Sequence, residues 1–151
     1  MTAMTPFKHI LVPTDFQASS ARALELAISL ASALDAELTL LHVWEVPTSM
    51  YSGLVLNTTP IIESIERAAA EHLDEALRNL RRSVPRAKST LHMGAPWREI
   101  IDAATAKNAD LIVMGTHGRQ GLSHAVLGSV AEKVVRHSTI PVLTAHGPTA
   151  P

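Results

Sequence analysis

Glycines are concentrated in one short stretch of the chain, directly after an apolar run. Gly115, Gly118 and Gly128 occur here, and Ser129 and Val130 follow at once. Glycine allows several backbone N–H groups to converge on a phosphate chain without Cβ atoms in the way. A helix that starts at Ser129 adds unpaired N–H groups and the positive end of its dipole. The pattern is typical of a phosphate-binding loop, although the spacing alone favours a tight turn and an ordinary helix cap.

Three further polar residues are candidates for the same site. His117 lies between two of these glycines, where an imidazole N–H can donate to a phosphate oxygen. His117 and His124 are also a candidate metal pair, but Mg²⁺ in a nucleotide site prefers oxygen ligands and water. Asp15 follows the first apolar run, and its carboxylate is suited to ribose hydroxyls or a purine amine. The structural alternative for Asp15 is a turn or a helix cap.

Several nucleotide-binding and catalytic motifs are absent, and each absence disfavours a class of function. The sequence contains no Gly-Lys pair and therefore no Walker A loop. Pro13, Thr14 and Asp15 stand where a dinucleotide-binding fold carries its glycine-rich turn. The run from Gly121 to Ala125 lacks the last glycine of a hydrolase nucleophile elbow. P-loop ATPases, NAD enzymes and serine hydrolases are disfavoured, and we predict neither catalytic residues nor metal ligands.

Composition predicts one domain of ordinary size. The 151 residues are 46% hydrophobic and only 3% aromatic, so aliphatic side chains must form the core. A formal net charge of -1 provides no field that attracts nucleic acid or an anionic membrane. The absence of cysteine excludes disulfides and cysteine nucleophiles. The segment from Met1 to Lys8 lacks an apolar signal region, and no stretch approaches the roughly 18 apolar residues of a membrane span, so we expect a cytoplasmic protein.

The apolar runs predict how the candidate residues are positioned. Strands are predicted over residues 9–13, 38–43, 89–93, 111–114 and 141–143. Helices are predicted to begin at a cap at Ser19 or Ser20, near Pro60, after Pro96 and at Ser129. This alternation indicates an α/β protein with an open parallel sheet covered by helices on both faces. The segment from Trp44 to Thr59 has no periodicity and is a candidate for a mobile flap.

In such sheets a ligand binds beyond the carboxyl ends of the strands, where the strand order reverses. The residues that follow Val12, Val43 and Met114 are therefore expected to face one crevice. A planar base in that crevice can lie against apolar side chains and read backbone N–H and C=O groups. Val43 is predicted for this role from topology alone, since backbone readout tolerates many side chains.

The motif Gly115-x2-Gly118-x9-Gly128-Ser129 resembles that of the ATP-binding branch of the universal stress protein family. Several separated segments agree with the family in order and position. They run from Ile10 to Asp15, from Leu40 to Val43, from Ala109 to Gly115, and from Val134 to Leu143. The resemblance covers nearly the whole chain and implies a Rossmann-like, five-stranded parallel sheet of strand order 3-2-1-4-5. We expect a single domain over residues 1–151, with a frayed tail at 146–151.

The resemblance also implies a ligand, ATP, with Mg²⁺ as an optional companion. Pro13, Thr14 and Asp15 are expected to surround adenine and ribose, Val43 to hold the adenine edge, and Met114 to line the base pocket. The residues expected to hold the phosphates are Gly115, His117, Gly118, Gly128, Ser129 and Val130. The family commonly forms homodimers through its last strand, and the apolar edge from Thr139 to Leu143 is the expected contact.

Three functions remain open from the sequence. The first is an ATP-dependent regulator of the stress response with slow or no hydrolysis, because no strong general base and no Walker lysine is evident. The second is a metal-dependent ATPase or nucleotide-transfer enzyme that uses His117 or Asp15. The third is a nucleotide-independent dimeric interaction or chaperone-like module, against which the intact glycine motif argues. Regulatory protein partners are expected under the first function, but neither nucleic acid nor a membrane.

Overall fold

The structure is a computed structural model that describes residues 6–52, 57–117 and 127–147. Strands and helices alternate along these residues. They are β1 (His9–Pro13), α1 (Ala18–Leu34), β2 (Glu37–Trp44), a short 3-10 helix (Thr48–Ser52), α2 (Thr59–Leu80), β3 (Lys88–Met93), α3 (Pro96–Ala106), β4 (Leu111–Gly115), α4 (Ser129–His137) and β5 (Val142–Ala145). All neighbouring strands are parallel, in the order β3-β2-β1-β4-β5. The predicted α/β fold and its strand order are confirmed.

The central strand β1 is buried on both faces. Because successive side chains of a strand point to opposite faces, Ile10 and Val12 pack in one core cluster with residues of α1 and α2. Leu11 lies in a second cluster with residues of α3 and α4, such as Ala104 and Val134. This two-sided burial explains why β1 reads as a continuous apolar run in the sequence.

The start of α1 differs from the prediction. Ser19 and Ser20 lie within the first helical turn, and Gln17 is the N-cap residue. The carboxylate of Asp15 accepts the N–H of Gln17 at 3.0 Å and the hydroxyl of Ser20 at 2.8 Å. Asp15 therefore shapes the turn before the helix, and the prediction of a serine cap was wrong by two or three positions.

The last strand also differs from the prediction, since it covers Val142–Ala145 and not residues 141–143. Its register with β4 pairs Gly115 with Ala145, so the sheet continues to the end of β4. His146 and Gly147 come directly after β5 in the chain. The Nδ1 atom of His146 lies 3.3 Å from the Thr116 hydroxyl. Residues 148–151 lie outside the described residues, so the frayed tail stays a prediction.

The segment before α2 contains local structure that the sequence did not indicate. A short 3-10 helix covers Thr48–Ser52, and α2 begins at Thr59, one residue before the predicted start. Residues 53–56 lie outside the described residues, and the flap stays a prediction. Within residues 6–52, 57–117 and 127–147, no helix is long and apolar enough to cross a membrane.

Asp110 joins two elements at the amino ends of the strands. Its two carboxylate oxygens accept the N–H groups of Lys8 at 2.9 Å and of His9 at 3.1 Å. Asp110→Asn turns one acceptor into an NH₂ group that faces an N–H, so the free energy of unfolding is expected to fall by about 1–3 kcal/mol. Urea unfolding measures this change. Asp102→Asn on the exposed side of α3 is the charge-matched control, and equal midpoints for the two variants would contradict the prediction.

Candidate functional site

A cleft of about 640 Å³ opens at the carboxyl ends of β1, β2 and β4. Within the sheet, β2 lies next to β1 on one side and β4 lies next to β1 on the other. The strand order therefore reverses at β1. This is where ligands bind in open parallel α/β sheets, and the volume lies in the range of small-molecule sites. Side chains of α2, including Ile65, Ala69 and His72, form one wall.

Ten of the eleven residues predicted for the site line this cleft. They are Pro13, Thr14, Asp15, Val43, Met114, Gly115, His117, Gly128, Ser129 and Val130. The other predicted residue, Gly118, lies outside the described residues, as does His124. The fold thus brings the ends of three strands and the start of α4 around one cavity, although these segments are far apart in the sequence.

The turn after β1 presents a carboxylate to the cleft. Both hydrogen bonds that Asp15 receives from Gln17 and Ser20 go to the same oxygen, Oδ1. They leave the lone pairs of the second oxygen, Oδ2, for another donor. Asp15 therefore combines the structural role of a turn residue with the capacity to accept a hydrogen bond from a ligand.

Val43 offers its backbone to the cleft. The carbonyl of Leu41 accepts the N–H of Thr14 at 2.8 Å, so the backbone groups of Leu41 point toward β1. Residues two apart in a strand direct their backbone groups to the same side, and those of Val43 therefore point there too. The ladder between β1 and β2 ends at the pair Pro13 and Leu41. The N–H and C=O of Val43 thus face the space beyond the carboxyl end of β1, where no strand pairs with them.

Hydrogen-bond donors converge at the start of α4. The N–H of Gly128 donates to the carbonyl of Thr116 at 2.6 Å, which holds the helix N-terminus against the end of β4. The first N–H groups of a helix, here those of Ser129 and Val130, have no partner within the helix. Glu132 places a negative charge in the first turn, but Arg136 pairs with it. This corner therefore favours an anion.

His117 stands beside this corner and is held from two sides. Its N–H donates to the Ser19 hydroxyl at 3.3 Å, and its ring atom Nδ1 lies 2.8 Å from the Thr116 hydroxyl. His117 lines the cleft, so it is placed where a ligand could contact it. Among the described residues, no group of three or more His, Asp or Glu side chains is arranged to hold a metal ion.

Sequence reasoning missed an aromatic wall of the cleft. His42 was assigned a structural role, and its Nδ1–H does donate to the Thr14 carbonyl at 2.7 Å. Its ring also packs against Phe16 in a tilted arrangement with the centroids 4.5 Å apart, and the edge-on contact between the rings of His72 and Phe16 has a centroid distance of 5.6 Å. Phe16 has a φ of 63°, which tertiary contacts must hold. The available signal was the position of His42 near the carboxyl end of a predicted strand.

The fold and the cleft together define an open parallel α/β protein with a candidate small-molecule site at its switch point. The model of the universal stress protein family matches residues 6–146. Universal stress protein MJ0531 of Methanocaldococcus jannaschii is 36% identical over 146 residues, which cover 94% of this chain and 84% of that protein. Universal stress protein YxiE of Bacillus subtilis is 35% identical, with coverage of 91% and 97%. The chain belongs to the universal stress protein family.

Solved structures share the whole fold. Protein MJ0577 of Methanocaldococcus jannaschii superposes with a TM-score of 0.80 at 27% identity, and the match covers 97% of this chain and 100% of that one. Universal stress protein UspA of Lactobacillus plantarum has a TM-score of 0.80 at 26% identity, with coverage of 93% and 99%. A universal stress protein in complex with cAMP has a TM-score of 0.64 at 25% identity, with coverage of 95% and 100%.

Proposed function

We propose that this protein is an ATP-binding member of its family and acts as a nucleotide-dependent regulator of the stress response, with little or slow hydrolysis. The observation that carries the proposal is the cleft itself, which gathers ten of the eleven predicted site residues. In this proposal adenine and ribose lie near Asp15, Val43 and Met114. The phosphates lie near Gly115, Gly128 and the start of α4, and Gly118 completes the glycine motif.

The geometry at the strand ends supports binding of the nucleoside. The backbone of Val43 points into the space beyond β1, where it can pair with the edge of a planar base. The Oδ2 atom of Asp15 is available for ribose hydroxyls. A universal stress protein of the same fold has been solved in complex with cAMP, which contains the same adenosine unit. These features favour an adenine nucleotide over an unrelated small molecule.

The start of α4 supports binding of the phosphates. Its N–H groups, its dipole and the ring of His117 all favour an anion, and Arg136 offsets the charge of Glu132. Any accompanying Mg²⁺ is held in this proposal by phosphate oxygens and water, which are the ligands that Mg²⁺ prefers.

Slow or absent hydrolysis follows from the groups present. Catalysis of phosphoryl transfer to water needs a residue that orients the water and a cation that stabilises the transition state. In the described part of the cleft, Asp15, Glu45 and three histidines could take the first role, but no lysine or arginine lines it to take the second. A metal-dependent ATPase would instead show turnover that depends on Mg²⁺.

The last strand supports a homodimer, which we include in the proposal together with a cytoplasmic location. β5 is an edge strand of the sheet, and Leu143 is 36% exposed. An exposed apolar edge strand with unpaired backbone groups is a template for pairing with another chain. A second copy that contacts the segment from Thr139 to Leu143 would cover this edge.

The first experiment is to identify any nucleotide that copurifies with the protein. The protein is purified without added ligand and denatured, and the released nucleotide is identified. ATP, ADP, AMP and cAMP are then titrated into the stripped protein with and without Mg²⁺. Copurified ATP, or ATP binding at micromolar concentration, is the expected result. If ATP neither copurified with the protein nor bound to it at millimolar concentration, the proposal would be overturned. A nucleotide-independent interaction module would then be favoured.

Gly128 allows a sharper test of the phosphate position. Gly128→Asp places a carboxylate at the N-cap of α4, where aspartate supports a helix but repels a phosphate. ATP affinity is expected to fall roughly tenfold, or about 1.4 kcal/mol, while adenosine affinity changes little. Gly128→Asn has the same shape without the charge, and we expect it to retain most of the ATP affinity. Calorimetric titration measures both, and equal ATP affinities in the two variants would contradict the proposed position.

A further inference from the structure

Polar groups in the turn after β1 form a chain of hydrogen bonds that ends at Asp15. The N–H of Phe16 donates to the Thr14 hydroxyl at 3.0 Å. The Thr14 hydroxyl lies 3.2 Å from the hydroxyl of Ser20, which in turn lies 2.8 Å from Oδ1 of Asp15. Ser20 lines the cleft but is only 6% exposed, so protein groups rather than bulk water satisfy its hydroxyl.

The acceptors around Ser20 determine where its proton points. A hydroxyl has one proton, and two acceptors are within reach of Ser20, Oδ1 of Asp15 at 2.8 Å and the Gln17 carbonyl at 3.0 Å. The Gln17 carbonyl is neutral and already accepts the N–H of Ala21, whereas a carboxylate is charged and is therefore the stronger acceptor. Ser20 thus donates to Asp15, and the Thr14 hydroxyl is left to donate to Ser20.

The contacts to Oδ1 also determine which way the carboxylate of Asp15 faces. The torsion that orients a carboxylate about its last bond is broad, so a single hydrogen bond leaves the plane of the group free to turn. The N–H of Gln17 reaches Oδ1 from the N-cap of α1, and the hydroxyl of Ser20 reaches it from the first helical turn. Together they hold Oδ2 in one position, as an atom that accepts a hydrogen bond but cannot donate one.

We infer that Ser20 is a positioning residue: it holds the carboxylate of Asp15 so that Oδ2 accepts from the ribose hydroxyls, and it thereby makes the site selective for ribonucleosides over nucleosides that lack those hydroxyls. The inference rests on the proposed function, because it assumes that a nucleoside lies at Asp15. A carboxylate that has turned away keeps its charge but no longer meets the sugar. Loss of Ser20 therefore removes the sugar contact and leaves the contacts of the base in place.

The first test compares adenosine with dideoxyadenosine, which has the same base but lacks both hydroxyls on the sugar ring. In calorimetric titrations the wild type is expected to bind adenosine about tenfold more tightly, because a hydrogen bond to a charged group is lost with the hydroxyls. Ser20→Ala removes a single oxygen atom and is expected to reduce this preference to about twofold by weakening adenosine alone. Equal losses for the two nucleosides would show a packing role and overturn the inference, as would a wild type that binds both equally.

A control variant and a double-mutant cycle test whether the effect passes through Asp15. Ser29→Ala removes the same hydroxyl from an exposed position of α1, where it donates to the Glu25 carbonyl, and it is expected to keep the preference of the wild type. In an Asp15→Asn background, Ser20→Ala is expected to change adenosine affinity less than about twofold. A further loss as large as in the wild-type background would mean that Ser20 acts by another route, and the inference would fail.

The orientation of the carboxylate itself is read from crystal structures of the nucleotide-free wild type and of Ser20→Ala. We expect one orientation of Asp15 in the wild type, with Oδ1 toward Ser20, and a rotated carboxylate or more than one orientation in the variant. An unchanged carboxylate in Ser20→Ala would overturn the inference. Because this comparison needs no ligand, it decides separately whether Ser20 positions Asp15, whereas a wild type that binds no adenine nucleoside or nucleotide would overturn the proposed function.

Discussion

Gly115→Ala is expected to lower the free energy of unfolding by about 3 kcal/mol, because an added methyl group has no room. A Cβ atom at Gly115 would lie 2.7 Å from the carbonyl carbon of Ser19 and 2.9 Å from its oxygen. Those atoms belong to the backbone of α1, so a side-chain rotation cannot relieve the overlap. The end of β4 and the start of α1 would have to move apart.

Urea unfolding at fixed protein concentration, with nucleotide removed, measures the effect, since dimerisation and bound ligand both add apparent stability. Gly147→Ala is the matched control, because its added Cβ atom would meet Ser19 at 3.3 Å or more. We expect that variant to remain within about 1 kcal/mol of the wild type. A Gly115→Ala protein as stable as the control would contradict the close approach of β4 and α1.

The same substitution should also impair the site. The N–H of His117 donates to the Ser19 hydroxyl, and Asp15 accepts from Ser20 of the same helical turn. Movement of that turn would displace both proposed ligand groups. ATP titration under conditions where Gly115→Ala remains folded is therefore expected to show weaker binding, in addition to the loss of stability.

Asp15→Asn is expected to weaken binding of both ATP and adenosine by about 10- to 100-fold. The range corresponds to the roughly 1.5–3 kcal/mol that a hydrogen bond to a charged group contributes. The amide oxygen of Asn can still accept from Gln17 and Ser20 as Oδ1 does, so the turn before α1 is preserved. The changed atom is the one that faces the ligand in our proposal, where an NH₂ group replaces an acceptor.

Asp35→Asn controls for the lost charge. Asp35 follows α1 at the other end of the helix, and its side chain is 88% exposed in an ion pair with Arg86. We expect this variant to bind ATP as the wild type does. Loss of adenosine binding in Asp15→Asn also separates this prediction from Gly128→Asp, which should affect ATP alone. Wild-type adenosine affinity in Asp15→Asn would place the nucleoside elsewhere.

The fold was predictable because its strongest signals are local. Strands buried on both faces must be apolar throughout, and the runs in β1 and β4 have that pattern. Boundaries were less predictable, as Ser19 and Ser20 show. Either serine is a suitable helix cap by type, but Asp15 accepts the N–H of Gln17 and the helix starts earlier.

The placement of ten predicted residues around one cleft was predictable for the same reason, because the apolar runs that predict the strands also predict where the strands end. Pro13, Val43 and Met114 lie at or near strand ends, and parallel strands bring their carboxyl ends to one edge of the sheet. The aromatic wall was not predictable in this way. It depends on a φ of 63° at Phe16 and on a ring from α2, neither of which leaves a pattern in the sequence.

The sequence by itself determined the architecture, the edge of the sheet at which a ligand would bind, and the family resemblance, because periodicity and glycine spacing are properties of the linear chain. Only the tertiary structure decided that the hydroxyl of Thr116 lies between the rings of His117 and His146. His146 is 30 residues from Thr116 along the chain. The pairing of β4 with β5 brings them together, and no local preference encodes that register.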